Sequence, residues 1–221
     1  MIDAVYKPVE RRPLASRDLQ IFQRLAAWLI ARGVPANAVS LCSIGFAALA
    51  SLCLVGTAWA DGGSVRLLFV LAALFVQARL LANLLDGMIA VGSRQASPAG
   101  ELYNEVPDRV SDALILIGAG FAAGGTPALG YLAAIVAIFV AYVRAFGSSA
   151  GVDALFMGPM AKPQRMATVT AACMYCACVP GGASSGAFGP VSIALALIVA
   201  GGVLTAVRRL RRIAAQLRAA R

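Results

Sequence analysis

Apolar residues in this chain gather into long, nearly unbroken stretches, and short clusters of glycine, proline and charge separate them. A membrane-spanning helix needs about 20 predominantly apolar residues. Six stretches meet or approach that length, at about 37 to 59, 64 to 91, 98 to 123, 127 to 149, 164 to 180 and 189 to 210. A different pattern precedes them. From Ser16, a plausible N-cap, to Arg32, the apolar residues Ile21, Phe22, Leu25, Trp28 and Leu29 recur at helical spacing among Arg17, Arg24 and Arg32. Gly33 and Pro35 stop that helix. A basic helix with one apolar stripe suits the membrane surface. The predicted fold class is therefore an all-α polytopic membrane protein: six transmembrane helices preceded by an N-terminal interfacial amphipathic helix. The expected organisation is a basic segment with the interfacial helix over 1–35, a six-helix domain over 36–210 and a basic tail over 211–221. No internal repeat or second domain is visible.

Charge gives an independent count of the spans. Lys7, Arg11, Arg12, Arg17, Arg24 and Arg32 lie before the first stretch, and Arg208, Arg209, Arg211, Arg212, Arg218 and Arg221 lie at the far end. Arg94 sits in the connection after the second stretch, and Lys162 and Arg165 follow the fourth. The connections after the third and fifth stretches, 124–126 and 181–189, carry no charge. Positive loops stay in the cytoplasm. Both termini and the second and fourth loops are then cytoplasmic, which requires an even number of spans. The expected location is a bacterial inner membrane, with the polar site described below on its cytoplasmic side.

Composition agrees. The 221 residues are 60% hydrophobic and only 13% charged, with a mean hydropathy of +0.81. Soluble domains carry about 25% charged residues. The net charge of +9 flanks apolar runs, so lipid headgroups and topology explain it better than nucleic acid, for which no recognition module is present. With no histidine, the common zinc sites and Ser-His-Asp catalysis are excluded. The five cysteines, Cys42, Cys53, Cys173, Cys176 and Cys178, lie in apolar runs and are read as small packing residues. The first 30 residues are too charged for a cleavable signal peptide.

Ionisable groups inside spanning segments are costly and mark function by default. Here they concentrate in Asn83-Leu84-Leu85-Asp86-Gly87-Met88-Ile89-Ala90 and in Gly100-Glu101-Leu102-Tyr103-Asn104-Glu105-Val106-Pro107-Asp108-Arg109-Val110-Ser111-Asp112. Asn83 and Asp86 are three apart and share one face of the second spanning helix. Asn104, Asp108 and Asp112 are four apart and share a face of the third. Ser97 and Pro98 read as the N-cap and first residue of that third helix, and Pro107 predicts a kink beside Asp108. An oxygen-rich cluster without imidazole or thiolate suits Mg²⁺, Mn²⁺ or Ca²⁺. Polar glue between helices and an ion pathway account for the same residues.

The spacing narrows these readings. It resembles the signature of the CDP-alcohol phosphotransferase family, Asp-x2-Asp-Gly-x2-Ala-Arg-x8-Gly-x3-Asp-x3-Asp. Without a gap, its positions fall on Asn83, Asp86, Gly87, Ala90, Val91, Gly100, Asn104 and Asp108. Asp86, Gly87, Ala90, Gly100 and Asp108 match; Asn83, Val91 and Asn104 depart. Gly33-Val34-Pro35-Ala36-Asn37-Ala38-Val39-Ser40 is similar to the Pro-Asn segment that opens the family's first spanning helix. The resemblance implies a metal-dependent transfer of a phosphoalcohol (phosphatidyl) group from a CDP-alcohol, such as CDP-diacylglycerol, to a hydroxyl acceptor, with release of CMP. It implies Mg²⁺ or Mn²⁺ held by Asp86, Asn83, Asn104 and Asp108, with Asp108 as catalytic base. It assigns donor-nucleotide binding to Asn37, Gly87, Ala90 and Gly100. Two asparagines in place of carboxylates leave three outcomes open: one ion, two ions with help from Glu105 or Asp112, or lost activity. Arg94 is a candidate substitute for the family arginine missing at Val91.

By the same resemblance, Arg144, Lys162 and Arg165 are acceptor-binding candidates, which suggests a phosphorylated acceptor. As cytoplasmic cations they also serve topology. Arg79, two turns before Asp86, pairs with a carboxylate or lipid phosphate, snorkels, or bonds to backbone carbonyls. Small residues four apart, Gly120/Gly124 and Gly147/Gly151, support close helix contact; family members are often homodimers, and a homodimer is the expected assembly. The leading function is a phosphatidyltransferase of phospholipid biosynthesis. The alternatives are a non-catalytic nucleotide- or lipid-binding descendant and, behind it, a small transporter.

Overall fold

In the computed structural model, residues 19–93, 98–152, 157–183 and 189–219 are described. They form seven α-helices and no strand: α1 Gln20–Ala31, α2 Ala36–Gly56, α3 Gly63–Gly92, α4 Pro98–Gly120, α5 Pro127–Ser149, α6 Lys162–Cys178 and α7 Pro190–Ala219. Ser16, Arg94 and Ser97 lie outside the described residues, as do 1–18 generally.

The helix ends follow local chemistry. Gly33 takes φ +70° just past α1, a left-handed value that costs glycine nothing, and Pro35 follows it. Pro127, Pro163 and Pro190 stand at the starts of α5, α6 and α7, where the missing N–H has no intrahelical partner in any case. Pro107 lies inside α4, which is continuous from Pro98 to Gly120. α7 runs to Ala219 rather than stopping near residue 210. Its arginine-rich turn favours helix, and Arg209 and Ile213 are buried there, so the stretch read as a basic tail begins as helix.

Among the described residues, α2, α3, α5 and α7 are long and apolar enough to cross a membrane. Their apolar outer faces are what a lipid solvent demands: Leu52, Leu74, Ile135, Tyr142 and Leu197 are all exposed. The protein is an integral membrane protein. α4 and α6, read from the sequence as spans, fall short by composition and length. α4 carries Glu101, Glu105, Asp108, Arg109 and Asp112, and α6 has only 17 residues.

The chain divides into two compact units. One comprises residues 1–46 and 77–111, the other 47–76 and 112–221. In the first unit, α1 packs through Ala26 onto Leu85 and Ile89 of α3, with Leu25, Leu29, Ile30 and Val39 around them. Only part of the apolar surface of α1 is covered: Ile21 and Trp28 stay exposed, and the Arg32 guanidinium lies 4.8 Å from the Trp28 ring centre.

In the second unit, α5 and α6 pack against α7. The small-residue pairs divide their labour. A Cβ on Gly120 would lie 2.9 Å from the Cα of Gly130, so α4 and α5 meet backbone to backbone. Gly147 makes room instead for the Ile213 side chain of α7, whose Cδ1 would lie 2.9 Å from an added Cβ. Gly124 and Gly151 serve the turns instead, and the Gly124 carbonyl accepts from the Ser192 hydroxyl and N–H. Cys173 and Cys176 are buried on the inner face of α6.

Candidate active site

The polar cluster of the first unit is built by three helices. α3 presents Arg79, Asn83 and Asp86, which stand four and three residues apart and so share one face. α4 presents Asp108, directly after Pro107. Because Pro107 has no N–H, the Tyr103 carbonyl loses its helical partner. α2 presents Ser40 in its second turn.

Arg79 is completely buried, and Asp86, Asp108 and Ser40 are 2%, 6% and 4% exposed. Charges and hydroxyls at that depth are retained only with hydrogen-bond partners. The Asn83 amide Nδ2 donates to Oδ1 of Asp108. Arg79 Nη2 donates to the same Oδ1 and to the Asp108 main-chain carbonyl, both at 3.2 Å. Ser40 Oγ donates to Asp86 Oδ2 at 2.7 Å and lies 3.2 Å from the Ala36 carbonyl. Ser43 Oγ donates to the Ser40 carbonyl at 2.6 Å, which ties the serine pair together along α2.

The structure thus joins Asn83 to Asp108 and, on the same face of α3, Asp86 to Ser40. Gly87 is buried next to Asp86 and Ala90 is half-buried one turn on, while Asn37 is exposed in the first turn of α2. Gly100 and Asn104 belong to α4, and their side chains lie outside what is described. Two residues join the cluster that the sequence reading left out, Arg79 and Ser40. The signal for Arg79 was its i, i+4, i+7 register with Asn83 and Asp86. For Ser40 it was one polar residue, three after Asn37, in the otherwise apolar opening of α2.

The spare carboxylates are taken by arginines. Glu105 pairs with Arg109 one turn on along α4. Asp112 belongs to the second unit, where its Oδ2 lies 2.6 Å from Nη2 of Arg165, with both side chains at most 3% exposed. Arg165 also donates to the Met160 carbonyl at 3.3 Å. Of the acceptor candidates, Arg165 is therefore buried in an ion pair, while Arg144 and Lys162 are half-buried in the same unit.

Among the described residues no three histidine, cysteine, aspartate or glutamate side chains group to hold a metal. The cluster instead offers two carboxylates with an amide and a hydroxyl beside them. Its oxygens fit a hard divalent cation in kind.

An all-helical membrane protein with a buried carboxylate cluster on its second and third long helices is the class that the fold defines. Solved structures share that fold. Phosphatidylinositol phosphate synthase (PgsA1) of Mycobacterium tuberculosis with CDP-DAG bound superimposes with a TM-score of 0.71 at 17% identity, covering 88% of this chain and 94% of that one. The same enzyme in complex with manganese and citrate gives 0.70 at 17% identity, covering 87% and 88%. Its apo form gives 0.66 at 17% identity, covering 85% and 93%. No family model matches the chain, and no curated protein matches it in sequence.

Proposed function

We propose that the chain is a divergent CDP-alcohol phosphotransferase. It transfers a phosphatidyl-type group from a CDP-alcohol such as CDP-diacylglycerol to an acceptor hydroxyl and releases CMP, in phospholipid synthesis. The observation that carries this reading is the hydrogen bond from Asn83 to Asp108, which joins the two helices that hold the halves of the spaced signature. The shared fold supports it: the synthase belongs to that family, and its structures hold CDP-DAG in one case and manganese in another.

In the reaction, the acceptor oxygen attacks the phosphorus that bears the donor's alcohol. A new P–O bond forms, the P–O bond to CMP breaks, and the acceptor proton passes to the Asp108 carboxylate. Catalysis of this kind is mostly positioning and charge neutralisation, with proton removal in support. Asp86, Asn83 and Asp108 would hold the cation, with Asn104 beside them by the resemblance. A bound Mg²⁺ or Mn²⁺ neutralises the diphosphate and polarises its P–O bonds. Gly87 leaves room beside Asp86 for close approach of the donor nucleotide, with Asn37, Ala90 and Gly100 as its further contacts. Arg144 and Lys162 are the acceptor-binding candidates, while Arg165 is engaged by Asp112 and supports the scaffold.

The membrane reading extends the four apolar helices to six spans by adding α4 and α6. Both termini and the cluster face the cytoplasm of a bacterial inner membrane, and α1 lies in the interface. The second reading, a non-catalytic binder, draws on the small number of carboxylates in the cluster. CMP release from CDP-diacylglycerol, measured in defined vesicles with Mg²⁺ or Mn²⁺ across a panel of phosphorylated and unphosphorylated alcohols, decides between them. Release with one acceptor class is expected. No release with any acceptor, alongside retained binding of the donor, establishes the binder instead.

A further inference from the structure

The hold on Asp108 deepens this reading and rests on it. Arg79 lies on an apolar spanning helix with no exposed surface. A guanidinium at that depth is retained only where its partners are well placed. Its Nη2 reaches two atoms of one residue, the main-chain carbonyl and Oδ1 of Asp108, both at 3.2 Å. Asn83, one turn further along the same face of α3, sends its amide Nδ2 to that same Oδ1. Three contacts from α3 therefore converge on one residue of α4, and two of them on one oxygen.

They converge where α4 is weakest. Pro107 has no N–H to give the Tyr103 carbonyl, so α4 lacks one of its own hydrogen bonds in the turn that leads into Asp108. α3 supplies from outside what that turn lacks from within. A carbonyl oxygen has two lone pairs, so the Asp108 carbonyl can accept from Arg79 without giving up its helical partner. The main-chain contact fixes where the side chain starts, and the two contacts on Oδ1 fix how the carboxylate is turned. A plain ion pair calls for neither the contact to the main-chain carbonyl nor the amide on the same oxygen. A base needs both, because a misplacement of about 1 Å costs about a hundredfold in rate.

We propose that Arg79 and Asn83 are positioning residues of the transfer reaction: together they hold the Asp108 carboxylate in the orientation in which it takes the acceptor's proton.

The test separates orientation from folding and from binding. Full-length protein in nanodiscs is given saturating Mn²⁺, so that a lost ion ligand does not limit the rate. CMP release per folded molecule is then followed against CDP-diacylglycerol concentration, with the acceptor that supports release in the parent. Arg79→Lys keeps the buried charge and lacks the planar fork. Its turnover is expected to fall by about ten- to a hundredfold, with the donor KM within about threefold of the parent. Asn83→Ala removes only a neutral partner and is expected to lose about three- to tenfold in turnover, again at constant donor KM. Adding Arg79→Lys to Asp108→Asn is expected to cost little beyond Asp108→Asn alone, since residues that act through one group are not additive. A purely structural Arg79 gives a lower melting temperature with turnover per folded molecule near that of the parent. A raised donor KM at unchanged turnover marks a substrate contact. Either result overturns the proposal, as does a double variant whose losses multiply. If Arg79→Lys fails to fold, Asn83→Ala decides alone. A parent protein that releases no CMP sinks the transferase reading and this proposal with it, whereas a parent that releases CMP beside variants of parental turnover sinks the proposal alone.

Discussion

Both units of the protein bury arginine against aspartate, and the two arrangements are not alike. In the second unit, Arg165 and Asp112 pair directly at 2.6 Å. Arg209, in the same unit, donates to the Met157 and Val140 carbonyls at 3.0 and 3.1 Å. These are closed arrangements, in which guanidinium groups staple loop and helix backbone. In the first unit the Arg79 guanidinium and the Asn83 amide both donate to Asp108, and the Ser40 hydroxyl donates to Asp86. Neutral donors there share the carboxylates with the guanidinium, whereas Asp112 meets Arg165 charge to charge. The mixed set of donors, rather than burial, separates the candidate site from the structural pair.

That contrast is broken most sharply at Asp108. Asp108→Asn keeps the size and a carbonyl acceptor for Arg79 but cannot take the acceptor's proton. General-base contributions run to about 10²–10⁴, so CMP release per folded molecule is expected to fall by about a thousandfold, while the lost counter-charge of the buried Arg79 lowers the melting temperature as well. A variant with more than about a tenth of the parent rate removes Asp108 as base.

The structural pair responds the other way. Asp112→Asn leaves Arg165 buried without its counter-charge, and breaking such a pair costs about 3–5 kcal/mol. Thermal unfolding in detergent is expected to drop substantially, and activity to fall only in proportion to the folded fraction. The double change Asp112→Leu with Arg165→Met recovers most of the stability, since a packed apolar pair is often neutral or better. If the double variant folds well but loses turnover per folded molecule by more than about tenfold, Arg165 belongs to the acceptor site rather than to the scaffold.

The sequence carried the elements and half of the site for identifiable reasons. Apolar length alone gave the helix positions to within a few residues, because in lipid every backbone group is satisfied inside its own helix. α7 ran on past its apolar stretch because arginine is a good helix former. Asn83, Asp86 and Asp108 were legible because helical spacing puts them on single faces. Arg79 was not, because nothing along the chain says how α3 is rotated against α4. A buried arginine reads identically whether it snorkels, staples a carbonyl or pairs with a carboxylate 29 residues away. The same limit applies to Arg165, read as an acceptor ligand and found against Asp112, 53 residues off.

Ser40 gives the smallest and most selective test of the comparison. Its hydroxyl donates to Asp86 and to nothing in the Arg79–Asp108 pair. A hydrogen bond to a charged group contributes about 1.5–3 kcal/mol. Part of that is lost to a cation when one competes for the same oxygens. Ser40→Ala is therefore expected to lower Mn²⁺ affinity by about three- to tenfold, because Asp86 is no longer held in place, and to reduce CMP release by a similar factor at limiting Mn²⁺. Saturating Mn²⁺ restores the rate, since the proton acceptor on α4 is untouched. A rate that stays low at saturating Mn²⁺ means that Ser40 acts on the substrate itself, and its reading as a support for the ion ligand Asp86 does not hold.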